Sequence, residues 1–330
     1  MTEMIKNRFL YPLGYSSVKI DPFDYIVFTK FLVNINKVYA MLCTIIVLLM
    51  TTAFSCVHAK IDISWNYDKH GTDWPDKCFS GLRQSPINLL SEWEYSPNLN
   101  PIEFKNYCNA TFNSTRIYNK GTTVSMKMEN SIKRHMPHMY GAWLVGKYYV
   151  SELHFHWGSK EVGGSEHMIN GKRLDVELHI VHKLQDLNAG AEQNSSGIAV
   201  VGILFEISRG KNMQPFFKTI FDSVTKVKKH NHGSYIPYMD LCPILSNVDL
   251  TDYFIYNGSL TTPDCREGVT WIVFRHPLKI FPNDAFKLWS LRDYRGKQLS
   301  NNFRNVMPLN NRKVYHFKGN AHFIKRLQLN

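Results

Sequence analysis

The chain has 330 residues, 44% hydrophobic and 20% charged, with 7 Trp, 17 Tyr and 20 Phe, a composition that can bury a large core and excludes a disordered chain. Its 39 Lys and Arg against 27 Asp and Glu give a formal charge of +12, which favours anionic surfaces and substrates. The basic residues are scattered, with short clusters at Lys226, Lys228 and Lys229 and at Lys325 and Arg326, and neither cluster carries a nucleic-acid-binding signature; a solvated basic surface is expected, with no nucleic-acid partner.

In chain order, the first feature is an uncharged stretch from Val38 to Val57, with the apolar run MLCTIIVLLM from Met41 to Met50 behind Lys37. Val57-His58-Ala59 resembles a small-residue cleavage site, so residues 1–59 read as a lead and signal peptide of a secreted or extracellular protein. The lead before Met41 is long for a signal, and the uncharged stretch approaches the ~20 residues that span a bilayer. Initiation at Met41 would remove that anomaly. An uncleaved signal anchor, tethering the chain to a membrane, is the alternative and the only membrane contact expected. Residues 60–318 hold no long linker, repeat or low-complexity tract and read as one domain, followed by a basic tail at 319–330.

Within that domain Lys147 to Trp157, Leu174 to His182 and Ile198 to Ile207 are rich in β-branched and aromatic residues and predict strands, so the domain reads as mainly β. Two segments have helical spacing: Met213, Phe216, Phe217, Ile220, Phe221, Val224 and Val227, then Phe286, Leu288, Trp289 and Leu291. Both predict peripheral helices with a core-facing apolar stripe. Gln185 to Gly197 is a surface loop. An exported chain sits where cysteines pair, and Cys78, Cys108, Cys242 and Cys265 leave three pairings open. The sequons at Asn109, Asn113 and Asn194 fit the same compartment and mark glycosylated surface loops. A fourth, Asn257-Gly258-Ser259, adjoins the expected active site and is discounted.

The chemistry begins at Ser151-Glu152-Leu153-His154-Phe155-His156-Trp157-Gly158, two histidines two apart in a strand pattern. Strand side chains alternate faces, so both imidazoles point the same way. Asp175-Val176-Glu177-Leu178-His179-Ile180-Val181-His182 places a carboxylate and a histidine on one face, with Leu178 and Ile180 on the other. Pairing of the two strands would gather His154, His156 and His179. Three neutral imidazoles with a fourth position open are what a catalytic Zn2+ requires, whereas structural zinc takes four closed ligands. His135, His138, His182, His230 and His232 are expected in ordinary structural or surface roles. No His-Glu-x-x-His helix is present to support a zinc peptidase.

His154-Phe155-His156-Trp157-Gly158, Gly164-Ser165-Glu166-His167, Glu177-Leu178-His179-Ile180-Val181-His182 and Gly258-Ser259-Leu260-Thr261-Thr262-Pro263 resemble, in order, the signatures of the α-carbonic anhydrase family. Arg83-Gln84-Ser85-Pro86-Ile87-Asn88 and Asn302-Phe303-Arg304 extend the likeness over about Ser64 to His316. The resemblance implies a single mainly β (α+β) domain around a large, mostly antiparallel twisted sheet with peripheral helices. It also implies reversible hydration of carbon dioxide to bicarbonate and a proton by hydroxide on zinc, with sulfonamides and anions as inhibitors and ester hydrolysis as a side activity.

Carried over by motif, His154, His156 and His179 resemble the zinc ligands, with Glu152, Glu177 and Asn302 orienting them. Thr261 resembles the hydroxyl that accepts from the attacking hydroxide and donates toward Glu166. Val181, Val200, Leu260, Thr262 and Trp271 resemble the carbon dioxide pocket. Cys78 and Cys265 stand where exported members carry a disulfide; the state of Cys108 and Cys242 stays open.

Three positions depart from the family pattern. Thr122 occupies the proton-shuttle position, beside Tyr67, where fast members carry histidine; threonine does not titrate near neutral pH, so slowed proton transfer is expected. Glu152 replaces glutamine, and a carboxylate there should make His154 more basic and zinc a weaker acid. Asp264 replaces proline, a change confined to its turn. The competing reading is an adhesion or glycan-binding module of the same fold with weak or no activity; three histidines at the ligand positions argue against it.

Overall fold

In this computed structural model the described residues are 30–31, 33–46, 65–93, 99–108, 115–128, 136–185, 197–208, 218–236, 239 and 241–319. The chain divides into two units, Met1–Asp62 and Ile63–Asn330. In the first, residues 33–46 are helical and present Val38, Leu42 and Ile46 to solvent. No helix among the described residues is long and apolar enough to cross a membrane. The rest of the apolar run and the expected cleavage site lie outside the described residues, as do Asn109, Asn113, Asn194 and the tail from 320 onward.

The second unit is built on strands. In chain order they are β1 (Asn88–Leu89), β2 (Ile102–Lys105), β3 (Thr115–Asn119), β4 (Val124–Lys127), β5 (His138–Gly141), β6 (Leu144–Trp157), β7 (Met168–Ile169), β8 (Lys172–Arg173), β9 (Val176–Leu184), β10 (Ile198–Ile207), β11 (Gly233–Ile236), β12 (Asp252–Ser259), β13 (Glu267–Phe274), β14 (Leu278–Ile280) and β15 (Val314–Lys318). Short helices α1 (Lys77–Ser80), α2 (Lys218–Val224), α3 (Cys242–Asn247) and α4 (Pro282–Leu288) punctuate them.

The main sheet runs β11-β3-β4-β6-β9-β10-β13-β12-β15, with β5 and β2 added beside β6 and β14 beside β10. Its pairings are antiparallel except for β10 with β13 and with β14. The strand reading of the sequence is thus met, with β10 matching its expected limits and β6 and β9 differing by two or three residues at their ends.

Strand alternation sorts the side chains into two apolar clusters. Leu153, Phe155 and Trp157 of β6, Leu178 and Ile180 of β9, and Val201 and Ile203 of β10 join the larger core. Val200, Phe254, Tyr256, Trp271 and Val273 form a second cluster. The β6–β9 pairing shifts register by one residue between Val150 and Glu152. This bulge at Ser151 reverses which parity faces the main core: Tyr148 and Val150 point into it before the bulge, Leu153 and Phe155 after it. Were the strand to run through Ser151 without a bulge, Glu152, His154 and His156 would share the core face of Val150.

The two helical segments correct the sequence reading in part. Ile220, Phe221 and Val224 of α2 are buried, and Val227 beyond it is too, whereas Met213, Phe216 and Phe217 lie outside the described residues. In α4 Leu288 is buried but Phe286 is 44% exposed, its ring beside Trp289 at 4.9 Å, because Ala285 and Leu288 already supply the inward face. Disulfides join Cys78 to Cys265 and Cys108 to Cys242 across 187 and 134 residues, which answers the question the cysteine count left open.

Candidate metal centre

His154 of β6 lies directly opposite His179 of β9 in the ladder. His156 follows on the same face, and nitrogens of all three rings lie within 4.8 Å of one another. Each ring has one nitrogen directed elsewhere. His156 Nδ1 donates to the Asn302 carbonyl at 2.7 Å, and His179 Nε2 donates to Glu177 Oε1 at 2.8 Å. His154 Nδ1 faces Glu152 Oε1 at 3.4 Å.

Hydrogen bonds assign the proton on His156 and His179 and leave lone pairs on His156 Nε2 and His179 Nδ1, and the carboxylate facing His154 Nδ1 favours the same arrangement there, with the lone pair on Nε2. His156 Nε2 is buried without a hydrogen-bond partner, and His154 Nε2 stands 3.3 Å from His179 Nδ1. Two converging lone pairs repel unless a cation lies between them, and tetrahedral zinc with ~2.0–2.1 Å bonds sets its ligand nitrogens roughly 3.3 Å apart. The donor set therefore fits that metal. Burial favours the neutral form of His154 and His179: desolvation pushes His154 below its ordinary value and His179 down to about 4.

The neighbouring trio of His167, Glu177 and His179 is a weaker candidate although its atoms are also close. Glu177 Oε1 accepts from His167 Nδ1 at 2.7 Å and His179 Nε2 at 2.8 Å, so protons already fill the space between them. Burial acts to raise the Glu177 carboxyl, but His167 and His179 outweigh it and hold the group well below the carboxylate range. His167 Nε2 continues the chain to Tyr256 Oη at 2.7 Å, which meets Ser85 Oγ at 2.8 Å. The sequence reading quoted His167 within a motif and gave it no role; what ties it to the site is a carboxylate ten positions downstream, which no local spacing reveals.

Asn302 is a hub. Its Oδ1 accepts from Trp157 N at 2.8 Å, its Nδ2 donates to the Thr122 carbonyl at 2.9 Å, and its own carbonyl orients His156. Glu166 is fully buried, with Oε1 accepting from Arg304 N at 2.8 Å. Its Oε2 has no hydrogen bond and faces His156 Nε2 at 3.5 Å and His179 Nδ1 at 4.0 Å. The expected hydrogen bond from Thr261 to Glu166 is therefore not formed here: Oε2 is turned toward the imidazoles, while Thr261 is buried at the end of β12.

Val181, Val200, Leu260 and Trp271 fall in one apolar cluster, with Val200 paired to Val181 on one side and Trp271 on the other. The Trp271 ring lies 4.8 Å from His179. Thr262 is half-buried in the turn closed by Cys265 N on its carbonyl at 2.7 Å. Tyr67 is buried 6.5 Å from the His156 ring and lines, with Thr122, a cleft of about 410 Å³. Gly121 precedes Thr122 at φ +78°, where a side chain would strain the backbone and meet His230.

The sequence reading missed Lys120, which donates to Glu152 Oε1 at 2.7 Å. Burial would raise the Glu152 carboxyl, yet His154 and Lys120 together hold it down at about 2. The carboxylate expected to act on His154 alone is thus shared with a cation.

A family profile described as eukaryotic-type carbonic anhydrase matches residues 65–318. The chain belongs to the carbonic anhydrase family. It is 32% identical over 246 residues to carbonic anhydrase 12 of Homo sapiens, covering 71% of this chain and 66% of that protein. With carbonic anhydrase 7 of Mus musculus it shares 35% over 244 residues, 71% of this chain and 88% of the other. Carbonic anhydrase 6 of Homo sapiens is 30% identical over 265 residues, 76% and 82% of the two chains. Carbonic anhydrases are in general zinc-dependent, and the three-histidine cluster lies within the matched region.

Proposed function

We propose that this chain is a zinc lyase hydrating carbon dioxide to bicarbonate and a proton, with His154, His156 and His179 as the metal ligands. The observation that carries the reading is the convergence of three imidazole nitrogens, with the opposite nitrogens of His156 and His179 already engaged by Asn302 and Glu177 and that of His154 facing Glu152 at 3.4 Å. When bound, zinc supplies Lewis-acid activation of water at neutral pH.

The remaining work belongs to the chain. Asn302 and Glu177 lock two imidazoles in the tautomer that offers the inward nitrogen. The unpartnered Glu166 Oε2 is free to accept from Thr261 Oγ1, leaving that hydroxyl only an acceptor role toward the attacking oxygen and so aiming its lone pair. Val181, Val200, Leu260 and Trp271 hold a linear, weakly polar substrate beside the ligands and exclude competing water. Thr122 can neither take nor give a proton near pH 7, so exit of the product proton is slow.

Export of the domain is part of the same reading, supported by the apolar run near Met41 and by two disulfides in the second unit. The test is zinc content of the purified full chain together with sulfonamide-sensitive hydration. One zinc per chain and inhibition are expected. A folded chain that binds no zinc would overturn the reading. Imidazole buffer should accelerate turnover, and fast turnover in a buffer too bulky for the cleft would refute the slow proton exit.

A further inference from the structure

Strand β12 is buried along its length except at Asn257. Its neighbour Tyr256 points to the histidine side, bonding His167 Nε2, and Trp271 of β13, the register partner of Tyr256, lies against His179. Alternation therefore turns Asn257 and its partner Thr270 to the opposite face of the sheet. There they line a cleft of about 800 Å³ with Trp143, Tyr148, Arg312 and Tyr315. Proximity in sequence to the expected active site, the reason for discounting the sequon Asn257-Gly258-Ser259, does not hold in space.

The side chain is poised for modification. Asn257 Oδ1 accepts from Thr270 Oγ1 at 3.4 Å, whereas Nδ2 makes no hydrogen bond among the described residues. Ser259, the third sequon position, is buried and accepts from Ser85 N at 2.9 Å, so a transferase can read the sequon only on the chain before β12 docks. The outer neighbour β15 begins 57 residues after Asn257, at Val314, and is synthesised later. Once folded, the cleft must hold whatever was attached. It offers aromatic faces, with Trp143 and Tyr315 at 5.4 Å, and the buried Trp143 Nε1, which has no acceptor. A pyranose face and an acetamide carbonyl match those two features.

We infer that Asn257 is an N-glycosylation site whose first N-acetylhexosamine sits in the Trp143–Tyr315 cleft. In the transfer step Nδ2 bonds to C1 of the sugar and the C1–O bond to a polyisoprenyl diphosphate donor breaks. The diphosphate leaves with the electron pair, and the Nδ2 proton passes to the transferase's base. The inference rests on the export proposed above.

The test is secretion of the full chain from a eukaryotic cell, followed by enzymatic deglycosylation in heavy-oxygen water and peptide mapping. Heavy-oxygen-labelled aspartate at position 257 is expected, and Asn257→Gln should lose the mass of one glycan while keeping zinc content. Unlabelled Asn257 in chains labelled at Asn109, Asn113 or Asn194 would overturn this inference alone. A secreted chain unlabelled at every sequon would overturn it too, leaving export standing. Retention of the chain in the cytosol without glycan would overturn both.

Discussion

At Glu152 a single oxygen is contested. His154 Nδ1 reaches it at 3.4 Å, long for a hydrogen bond, while Lys120 Nζ holds it at 2.7 Å. Lys120 therefore offsets the charge that would otherwise make His154 more basic, and the glutamate behaves more like the amide it replaces. Lys120→Met should release the carboxylate to His154 and move the pH midpoint of hydration upward. Glu152→Ala, which removes the partner of His154 altogether, should weaken zinc about tenfold in chelator competition, the low end for loss of a ligand-orienting partner, whereas Glu152→Gln keeps an acceptor oxygen there. With Glu152→Gln already present, Lys120→Met should leave the midpoint unchanged; an equal shift in both backgrounds would show that Lys120 acts elsewhere. Residue chemistry of this kind was half legible. The unusual glutamate stood out in the motif, but its cation comes from the turn after β3, 32 positions upstream, and only the fold brings them together.

The bulge in β6 belongs to the scale of elements. A continuous reading of Lys147 to Trp157 correctly predicts a strand and a shared face for His154 and His156, since they lie two apart. It does not show which face, because the hydrophobic pattern on both sides of Ser151 is compatible with an unbroken strand. Deletion of Ser151 should remove the bulge and leave Val150, Leu153 and Phe155 facing the core with Glu152, His154 and His156 opposite, so zinc binding and the strand content should both survive. Zinc content and circular dichroism report the two separately.

Strand β9 shows the complementary case, a histidine on the core face. His182 is buried against Tyr107 Oη, and desolvation pushes it down to about 3. Its unfolded value is about 6.5. Below that pH the unfolded chain binds the proton and the folded chain does not, so stability is full above about 6.5 and falls as the pH drops toward 3. Urea midpoints should therefore decline from neutral pH to pH ~5, and the decline should be shallower in His182→Phe.

Over the whole molecule, the site depends on segments far apart in the chain being held together. Arg304 is buried, donating to Gln84 Oε1 at 2.9 Å, Ser85 O at 2.8 Å and Cys78 O at 2.7 Å, while its backbone N fixes Glu166. The Cys78–Cys265 disulfide fastens the same early segment to the turn after Thr261. Its closed loop of 187 residues is long, and the chain-entropy account assigns such a loop about 5 kcal/mol. Replacing both cysteines by serine should cost about 2–5 kcal/mol in urea denaturation. It should also lower turnover more than zinc content, since Thr261 loses its brace while the histidine strands keep theirs.

The sequence by itself determined the strand character of the domain, the histidines and the carboxylate that shares a strand with His179, because alternation and short-range spacing are properties of a local segment. It also carried motifs specific enough for the family. Tertiary structure alone decided the face on which β6 presents its histidines, the partnership of Lys120 with Glu152, the second disulfide and the side of the sheet on which Asn257 emerges. Each of these depends on register or on contacts between residues tens of positions apart, and a linear pattern does not encode which of several compatible pairings buries the most apolar surface.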